Sequence, residues 1–270
     1  MVPDRVLYPY QRATEAAEAL RERFGIGGID LAVVLGSGWS ASADALGETL
    51  GRCALAELPH FAAPTVAGHG GELRLVRTRA RRLAAVFTGR THFYETRDAG
   101  AVVHGVRTAA AAGARTLVLT NGCGGLNPAW APGTPVLIRD HINLTGATPI
   151  AGANFVDMSY TYAPALRALA RQVEPALDDG VYVQFAGPQY ETPAEVRMAA
   201  VLGGELVGMS TALEAIAARE AGLDILGISL VTNLAAGIGD APLHHAEVIA
   251  AGQTAAPRLA ALLSAIVERL

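Results

Sequence analysis

Between residues 185 and 219 the chain twice makes the same move: a short apolar run gives way at once to residues that start a helix. The run 181–187, VYVQFAG, is followed by Tyr190 and Glu191, then by Thr192-Pro193-Ala194-Glu195. Those four read as an N-cap, a proline at the first helical position and a capping-box glutamate. The run 205–209, ELVGM, is followed by Ser210, Thr211 and the helical stretch ALEAIAARE. Where a strand ends and a helix begins, loose backbone N–H groups converge, and α/β proteins place their chemistry there. A carboxylate, an aromatic ring, a thioether and a hydroxyl (Glu191, Tyr190, Met209, Ser210) delivered to that edge make the lining of a small-molecule pocket.

The same alternation runs through the rest of the chain. It predicts one α/β domain over residues 1–270, with a mixed central β-sheet flanked by helices. An amphipathic helix over about residues 10–24 is stopped by Gly25, Gly27 and Gly28. A buried strand over 31–35 opens onto a glycine turn and a further helix. Gly36-x-Gly38-x-x-Ala41 satisfies a minimal dinucleotide fingerprint, which also wants an acidic residue at a strand end about twenty positions on. The nearest, Glu57, ends no strand-like run. Closure of the turn around one phosphate, with backbone N–H groups and the Ser37 hydroxyl, suits the local pattern better.

The turn GHGG carries His69 and precedes a strand. In LAAVFTGRTHFYE a strand delivers Arg90, His92 and Tyr94 within five residues, and alternate positions of an extended segment share one side. In TLVLTNGCGGLN a strand reaches Gly122, Gly124 and Gly125, which either leave N–H groups open to an anion or form a bare tight turn. The loop 146–162, with Phe155, is too long to be a simple connector. A strand over DILGISLVTN ends at Thr232-Asn233. The C-terminal helix aligns Leu259, Leu262, Leu263, Ile266 and Leu270 on one face. His244 and His245 stand at its start, where neighbours point about 100° apart and make a poor metal pair.

Composition narrows the chemistry. The chain has no lysine, and all 21 basic residues are arginine. A Schiff-base lysine, a Walker-type lysine and a lysine general base are thereby excluded, so an anion must be held by arginine, histidine, hydroxyls and backbone N–H groups. A net charge of −4 argues against nucleic acid as a partner. The basic cluster of Arg74, Arg77, Arg79, Arg81 and Arg82 reads as a solvated hairpin turn. Charged residues make up 17%, below the usual quarter, so partner subunits are expected to cover part of the surface. No apolar run is long enough to span a membrane, and the N-terminus lacks the apolar core of a signal peptide. Cys53 and Cys123 form neither a paired framework nor a metal spacing, so a reducing cytoplasm is the expected location.

Taken in order, GSG after the first strand, GHGG, GRTHFYE, TNGCGGLN, GPQYETPAE, VGMSTALE and VTN resemble the trimeric purine nucleoside phosphorylase family. The match covers nearly the whole chain, from about residue 31 to 248. The resemblance implies reversible phosphorolysis of 6-oxopurine ribo- or deoxyribonucleosides, giving free base and α-(deoxy)ribose 1-phosphate, in a homotrimer. It implies no cofactor and no metal, with inorganic phosphate as co-substrate. Residue by residue, it implies that Ser37, His69, Arg90, His92, Gly122 and Ser210 hold phosphate. Tyr94 and Met209 would carry the ribose, with His245 at its 5′-hydroxyl. Tyr190 would stack near the base, Glu191 and Asn233 would meet its polar edge, and Phe155 would reach a neighbour's pocket. Asn233, Glu191 and His92 are the residues implied in catalysis.

The sequence departs from that family at a few points. Gly122-Cys123 replaces a frequent pair of alanines, which is expected to loosen the turn; Leu234 replaces a frequent lysine; and the loop before Phe155 is shorter than in mammalian members. The chemistry is self-consistent without an enzyme nucleophile. Breaking the ribosyl C–N bond builds positive charge on the sugar and negative charge on the purine, much as in glycoside hydrolysis. Phosphate can stabilise the first charge and attack; Asn233, at N7, can stabilise the second.

Two rival readings fit part of the pattern. Methylthioadenosine phosphorylase, of the same family, typically has aspartate at the asparagine position and an apolar residue in place of the 5′-side histidine; Asn233 and His245 argue against it. A serine hydrolase would use Gly208-x-Ser210-x-Ala212 as a loosened nucleophile elbow, with Asp224 or Asp240 and His244 or His245 downstream. That leaves six other motifs without a role, and an NAD-dependent dehydrogenase fares no better.

Overall fold

Strand β1 (Leu31–Val34) shows how the sheet is covered. Successive side chains of a strand point to opposite faces, and here both faces are dry, which is why the run is continuously apolar. Ala32 and Val34 enter one core cluster with Leu20, Phe87 and Leu119. Leu31 and Val33 enter a second with Trp39, Leu259 and Ile266. The computed structural model describes residues 4–61, 71–239 and 245–270, with side chains from residue 8 in the first stretch and from residue 250 in the last.

Around β1 lie β2 (Glu48–Ala54), β3 (Glu72–Arg77), β4 (Leu83–Phe87), β5 (Thr116–Gly125), β6 (Pro135–Asn143), β7 (Asp178–Gln184), β8 (Leu206–Gly208) and β9 (Asp224–Leu234). They form one mixed sheet in the order β2-β3-β4-β1-β5-β8-β7-β6-β9, with a further pairing of β5 to β9. That last pairing closes β5-β8-β7-β6-β9 into a ring, so these five strands have no free edge between them. Between Cys123 and Gly124 the β5–β9 register shifts, with Thr232 as the extra residue on β9, and from Gly124 on β5 also pairs with β8.

Helices cover both faces. Helix α1 (Asp4–Phe24) packs on α4 (His104–Ala111), which packs on α7 (Ala212–Glu220); α8 (His245–Val267) packs on β9, on α5 (Pro164–Val173) and on a 3-10 helix over Ser40–Ala45. Two short helical turns, α2 (Phe93–Thr96) and α3 (Ala99–Val102), follow β4, and α6 (Pro193–Val201) follows β7. Leu259, Leu262, Leu263 and Ile266 of α8 are buried as one face, as their spacing predicts.

Four local expectations are corrected. The segment after Gly38 forms the short 3-10 helix and no α-helix. Tyr94 lies in helical turn α2 and not in an extended run; the Glu95 carboxylate accepting from the His92 N–H closes that turn. The run AGAVVHGVRTAAAAG over 99–113 reads as one helix in the sequence, but it breaks at Val103 into α3 and α4. The bare tight turn considered at Gly122, Gly124 and Gly125 is not formed: all three lie within β5, in register with β9, so the substitution at 122–123 loosens no turn. The arginine-rich segment is the β3–β4 hairpin as read, with Arg74 paired to Glu72 and Asp44, Arg77 to Glu48 and Arg79 to Glu268.

Candidate functional site

Arg90 follows β4 by three residues, and its side chain is 4% exposed. Its Nη1 donates to Ser210 Oγ at 3.0 Å and its Nη2 to the Thr120 carbonyl at 2.7 Å. Its Nε lies 3.3 Å from Glu214 Oε2, near enough to pair charges though too poorly aligned for a hydrogen bond. A guanidinium carries five N–H donors. One hydrogen on each terminal nitrogen therefore remains after these contacts, the fork that matches two oxygens of a carboxylate or phosphate. Gly36 makes this seat possible, because a Cβ there would stand 2.5 Å from the Thr120 carbonyl and 3.1 Å from Arg90 Nη1.

Ser210 and Thr211 enter just ahead of α7, with Thr211 as its N-cap residue. Thr211 has φ +80, a conformation that a β-branched residue rarely adopts, and three contacts hold it there. Its N–H donates to Glu214 Oε2 (3.1 Å), its Oγ1 accepts from Asn121 Nδ2 (2.9 Å), and the same hydroxyl lies 3.1 Å from Ser210 Oγ. The Ser210 N–H donates to the Tyr182 hydroxyl, 3.3 Å away. His92 stacks on Tyr94 with ring centroids 4.9 Å apart, and burial, helped by Glu95, pushes the Tyr94 hydroxyl up to about 12.

At the other end, Glu191 stands immediately before the N-cap of α6. Thr192 Oγ1 accepts from the Glu195 N–H (3.2 Å), and Glu195 Oε2 accepts from the Thr192 N–H (2.7 Å), the predicted capping box. Glu191 is 8% exposed, and its Oε1 has no hydrogen-bond partner among the described residues. Burial raises its pKa above the usual carboxylate value; its own backbone N–H pulls the other way, and Glu195 adds to the rise. Asn233 Nδ2 donates to the Leu234 carbonyl (2.9 Å) and its Oδ1 accepts from Thr232 Oγ1 (2.8 Å). A carbonyl can only accept, so Leu234 fixes which side of the amide is nitrogen and opposes a flip. Met209 presses on Gly187, where φ is +62 and a Cβ would meet the thioether sulfur at 2.6 Å.

These two ends share one cavity of about 480 Å³, inside the range of small-molecule sites. Of the sequence-expected residues it brings together Ser37, Arg90, His92, Tyr94, Gly122, Tyr190, Glu191, Met209, Ser210 and Asn233. Phe155 is not on it: that ring is 96% exposed on the loop after β6. His69 lies outside the described residues, and His245 is described only as the first residue of α8. Sequence reasoning missed Asn121, Pro188 and Thr232 on the wall, and Thr120 and Glu214 behind Arg90. Glu214 had a signal, since Thr211 with Glu214 three residues on is a second capping-box pattern.

The geometry also bears on the rivals. The Ser210 hydroxyl accepts from a guanidinium and pairs with another hydroxyl, neither of which can serve as its general base. The glycine turn after β1 opens onto a 3-10 helix, without the α-helical N-terminus that a dinucleotide pyrophosphate uses. Among the described residues, no three His, Cys, Asp or Glu side chains converge as metal ligands, and no helix is long and apolar enough to cross a membrane.

Residues 30–268 match the model of the phosphorylase superfamily. The chain is 57% identical over 265 residues to a purine nucleoside phosphorylase of Cellulomonas sp., covering 97% of this chain and 94% of that one. Among solved structures it is similar to Schistosoma mansoni purine nucleoside phosphorylase in complex with inosine, with a TM-score of 0.87, 32% identity and 96% of each chain covered. It is also similar to the Schistosoma mansoni enzyme in complex with adenosine, with a TM-score of 0.86, 30% identity, and 96% of this chain and 97% of that one covered.

Proposed function

The chain belongs to the phosphorylase superfamily, among its purine nucleoside phosphorylases, and we propose that its cavity carries out phosphorolysis of 6-oxopurine nucleosides such as inosine and guanosine. The observation that carries this reading is the pairing of two unlike ends in one cavity. One end offers a buried guanidinium fork with hydroxyls around it, and the other a buried carboxylate and a held amide.

Phosphate takes the Arg90 fork, with Ser210, Ser37, His92 and the Gly122 N–H around it. The ribose lies over Met209 and Tyr94, and the purine lies by Tyr190. An attacking phosphate oxygen bonds to C1′ as the C1′–N9 bond breaks, and the bonding pair leaves with the purine. The proton of the entering hydrogen phosphate ends on the purine, so the products are free base and α-(deoxy)ribose 1-phosphate, and atoms balance without an enzyme nucleophile. Asn233 has one N–H not used by Leu234, and donating it to N7 stabilises the charge that the leaving purine gains. Glu191, acceptor-only when ionised, takes the N1 proton of a 6-oxopurine and the 2-amino group of guanine. No metal and no cofactor enter this scheme.

A homotrimer belongs to the same proposal. Phe155 (96% exposed) and Tyr160 (70% exposed) lie on one loop, and two large aromatic rings in water suit an interface between copies. His69 and His245 are proposed on the phosphate side and at the ribose 5′-hydroxyl. The cytoplasm is the proposed location.

The test is release of hypoxanthine from inosine with and without phosphate, in the presence of EDTA. Turnover that depends on phosphate and survives EDTA is expected. Equal cleavage in phosphate-free buffer, or loss of activity with the chelator, would sink the reading. Sedimentation of a fully active species at the chain mass of 27.9 kDa would remove the trimer.

A further inference from the structure

Arg90 stands between two cavities and lines both. On one side is the 480 Å³ nucleoside cavity; on the other is a separate space of about 50 Å³ with Glu214 and Glu95 on its wall among apolar residues such as Phe87 and Val106. The second space has room for a few water molecules and for nothing the size of a metabolite. A carboxylate therefore meets the guanidinium away from the cavity where the substrates are placed. Glu214 is 2% exposed in its side chain, and it is the carboxylate within ion-pair distance of Arg90 among the described residues.

The pose of Arg90 does not depend on Glu214. Ser210 Oγ and the Thr120 carbonyl each take one of its hydrogens, and the contact with Glu214 is not a hydrogen bond. The pose of Glu214, in turn, is fixed by the Thr211 N–H. What Glu214 supplies to Arg90 is charge. In a dry site one unit of charge is felt strongly and is poorly screened by salt.

Resting on the reading that Arg90 binds phosphate, we infer that Glu214 is the resident counter-ion of Arg90 and competes with phosphate for it. It thereby loosens the hold on both the entering anion and the phosphate ester that leaves. In the empty pocket it balances a buried cation. Once phosphate is in place, two anions face one guanidinium, and burial already works against ionised Glu214, with Arg90 and the Thr211 N–H as the opposing pulls. Glu214 is thus a positioning residue for charge, touching no substrate.

The experiment is Glu214→Gln, which keeps shape and an acceptor for Thr211, beside Glu214→Asp, which keeps the charge. For Glu214→Gln the phosphate half-saturation is expected to fall on the order of tenfold. Its kcat should fall as the ester product leaves more slowly, while KM for inosine moves little. Its melting temperature without phosphate should drop, and the rise on adding phosphate, against sodium chloride at equal ionic strength, should exceed that of wild type. Glu214→Asp should stay within about twofold of wild type in phosphate half-saturation. A half-saturation unchanged or raised in Glu214→Gln would overturn the inference. So would a Glu214→Gln protein that folds neither with nor without phosphate while Glu214→Asp is inactive, since the carboxylate would then be a folding requirement only. A wild type that ignores phosphate in both turnover and melting would instead remove the underlying function, so the two failures are distinguishable.

Discussion

At the Arg90 end of the cavity the polar side chains hold one another. Arg90, Ser210, Thr211, Asn121 and Glu214 form one buried set hung from strand ends and from the first turn of α7. At the Glu191 end the arrangement is looser. Tyr190 is 40% exposed, Glu191 Oε1 has no partner among the described residues, and both sit on the loop between β7 and α6. The first end fixes its own geometry and offers a charged fork, so it should be insensitive to ligand shape and sensitive to charge. The second is completed by its ligand, so it should discriminate by donor and acceptor pattern.

The largest expected effect tests the loose end. Adenine presents a bare N1 acceptor where hypoxanthine has N1–H, so it would face ionised Glu191 acceptor to acceptor. Sites built on such pairing reject the mispaired analogue by about 10⁴-fold, and that ratio of kcat/KM is expected for inosine over adenosine. A Schistosoma mansoni relative has been captured with adenosine, so occupancy alone decides nothing and the rates must be compared. Asn233→Asp, which turns a donor into an acceptor for the adenine 6-amino group, should narrow the gap. Comparable kcat/KM for the two nucleosides in wild type would mean that Glu191 does not read the base.

The next effect tests the finished end. Arg90→Ala removes the fork, and a charge-assisted bond of about 1.5–3 kcal/mol puts phosphate half-saturation up by roughly ten- to a hundredfold. It also strands Glu214, which is 2% exposed, and breaking a buried pair costs about 3–5 kcal/mol of stability. Adding Glu214→Gln should recover much of that stability without recovering phosphate affinity, a non-additivity that chemical denaturation of both variants would measure. Additive losses would mean that the two residues are not coupled.

The difference between the ends also explains what could be read from sequence. Strand ends and helix caps are local signals, so Ser37, Arg90, Ser210 and the Thr192–Glu195 box were legible residue by residue. Gly122, which the structure places on the cavity wall, is illegible as a strand residue, because the pairing that extends β5 comes from β9, about a hundred positions away in sequence. Glu214 was visible as a cap and invisible as a partner of Arg90, a contact that only the sheet order creates. The turn holding Tyr94 was misread because Glu95 caps it with a side chain, a short-range bond that competes with strand extension.

A smaller effect follows from the raised pKa of Glu191. Burial favours its neutral form, so its ionisation should occur above the ordinary carboxylate value of about 4.3. The signs for activity and stability are opposite. As pH falls, the acceptor is lost, so kcat/KM for inosine should drop on an acid limb set by Glu191. The folded state meanwhile takes up a proton more readily than the unfolded chain, so the Glu191 contribution to stability should improve. Glu191→Gln should flatten that limb and lower the plateau by about tenfold. An acid limb unchanged in Glu191→Gln would assign it to another group.

The smallest effect asks whether the loose end is at least anchored. Thr192 caps α6, and Glu191 is its immediate neighbour, so the cap is the firmest point near the carboxylate. Thr192→Ala removes the acceptor for the Glu195 N–H, and losing an N-cap costs about 1 kcal/mol. The other half of the box, Glu195 accepting from the residue-192 N–H, survives the substitution, which keeps the loss at the low end. The first turn of α6 then frays, and Glu191 samples positions away from the purine edge. KM for inosine should rise a few-fold while phosphate half-saturation stays put, because among the described residues none of the hydrogen bonds or ion pairs that hold the Arg90 set runs to α6. Equal shifts in both constants would show that the two ends of the cavity move as one body, and the contrast drawn between them would fall.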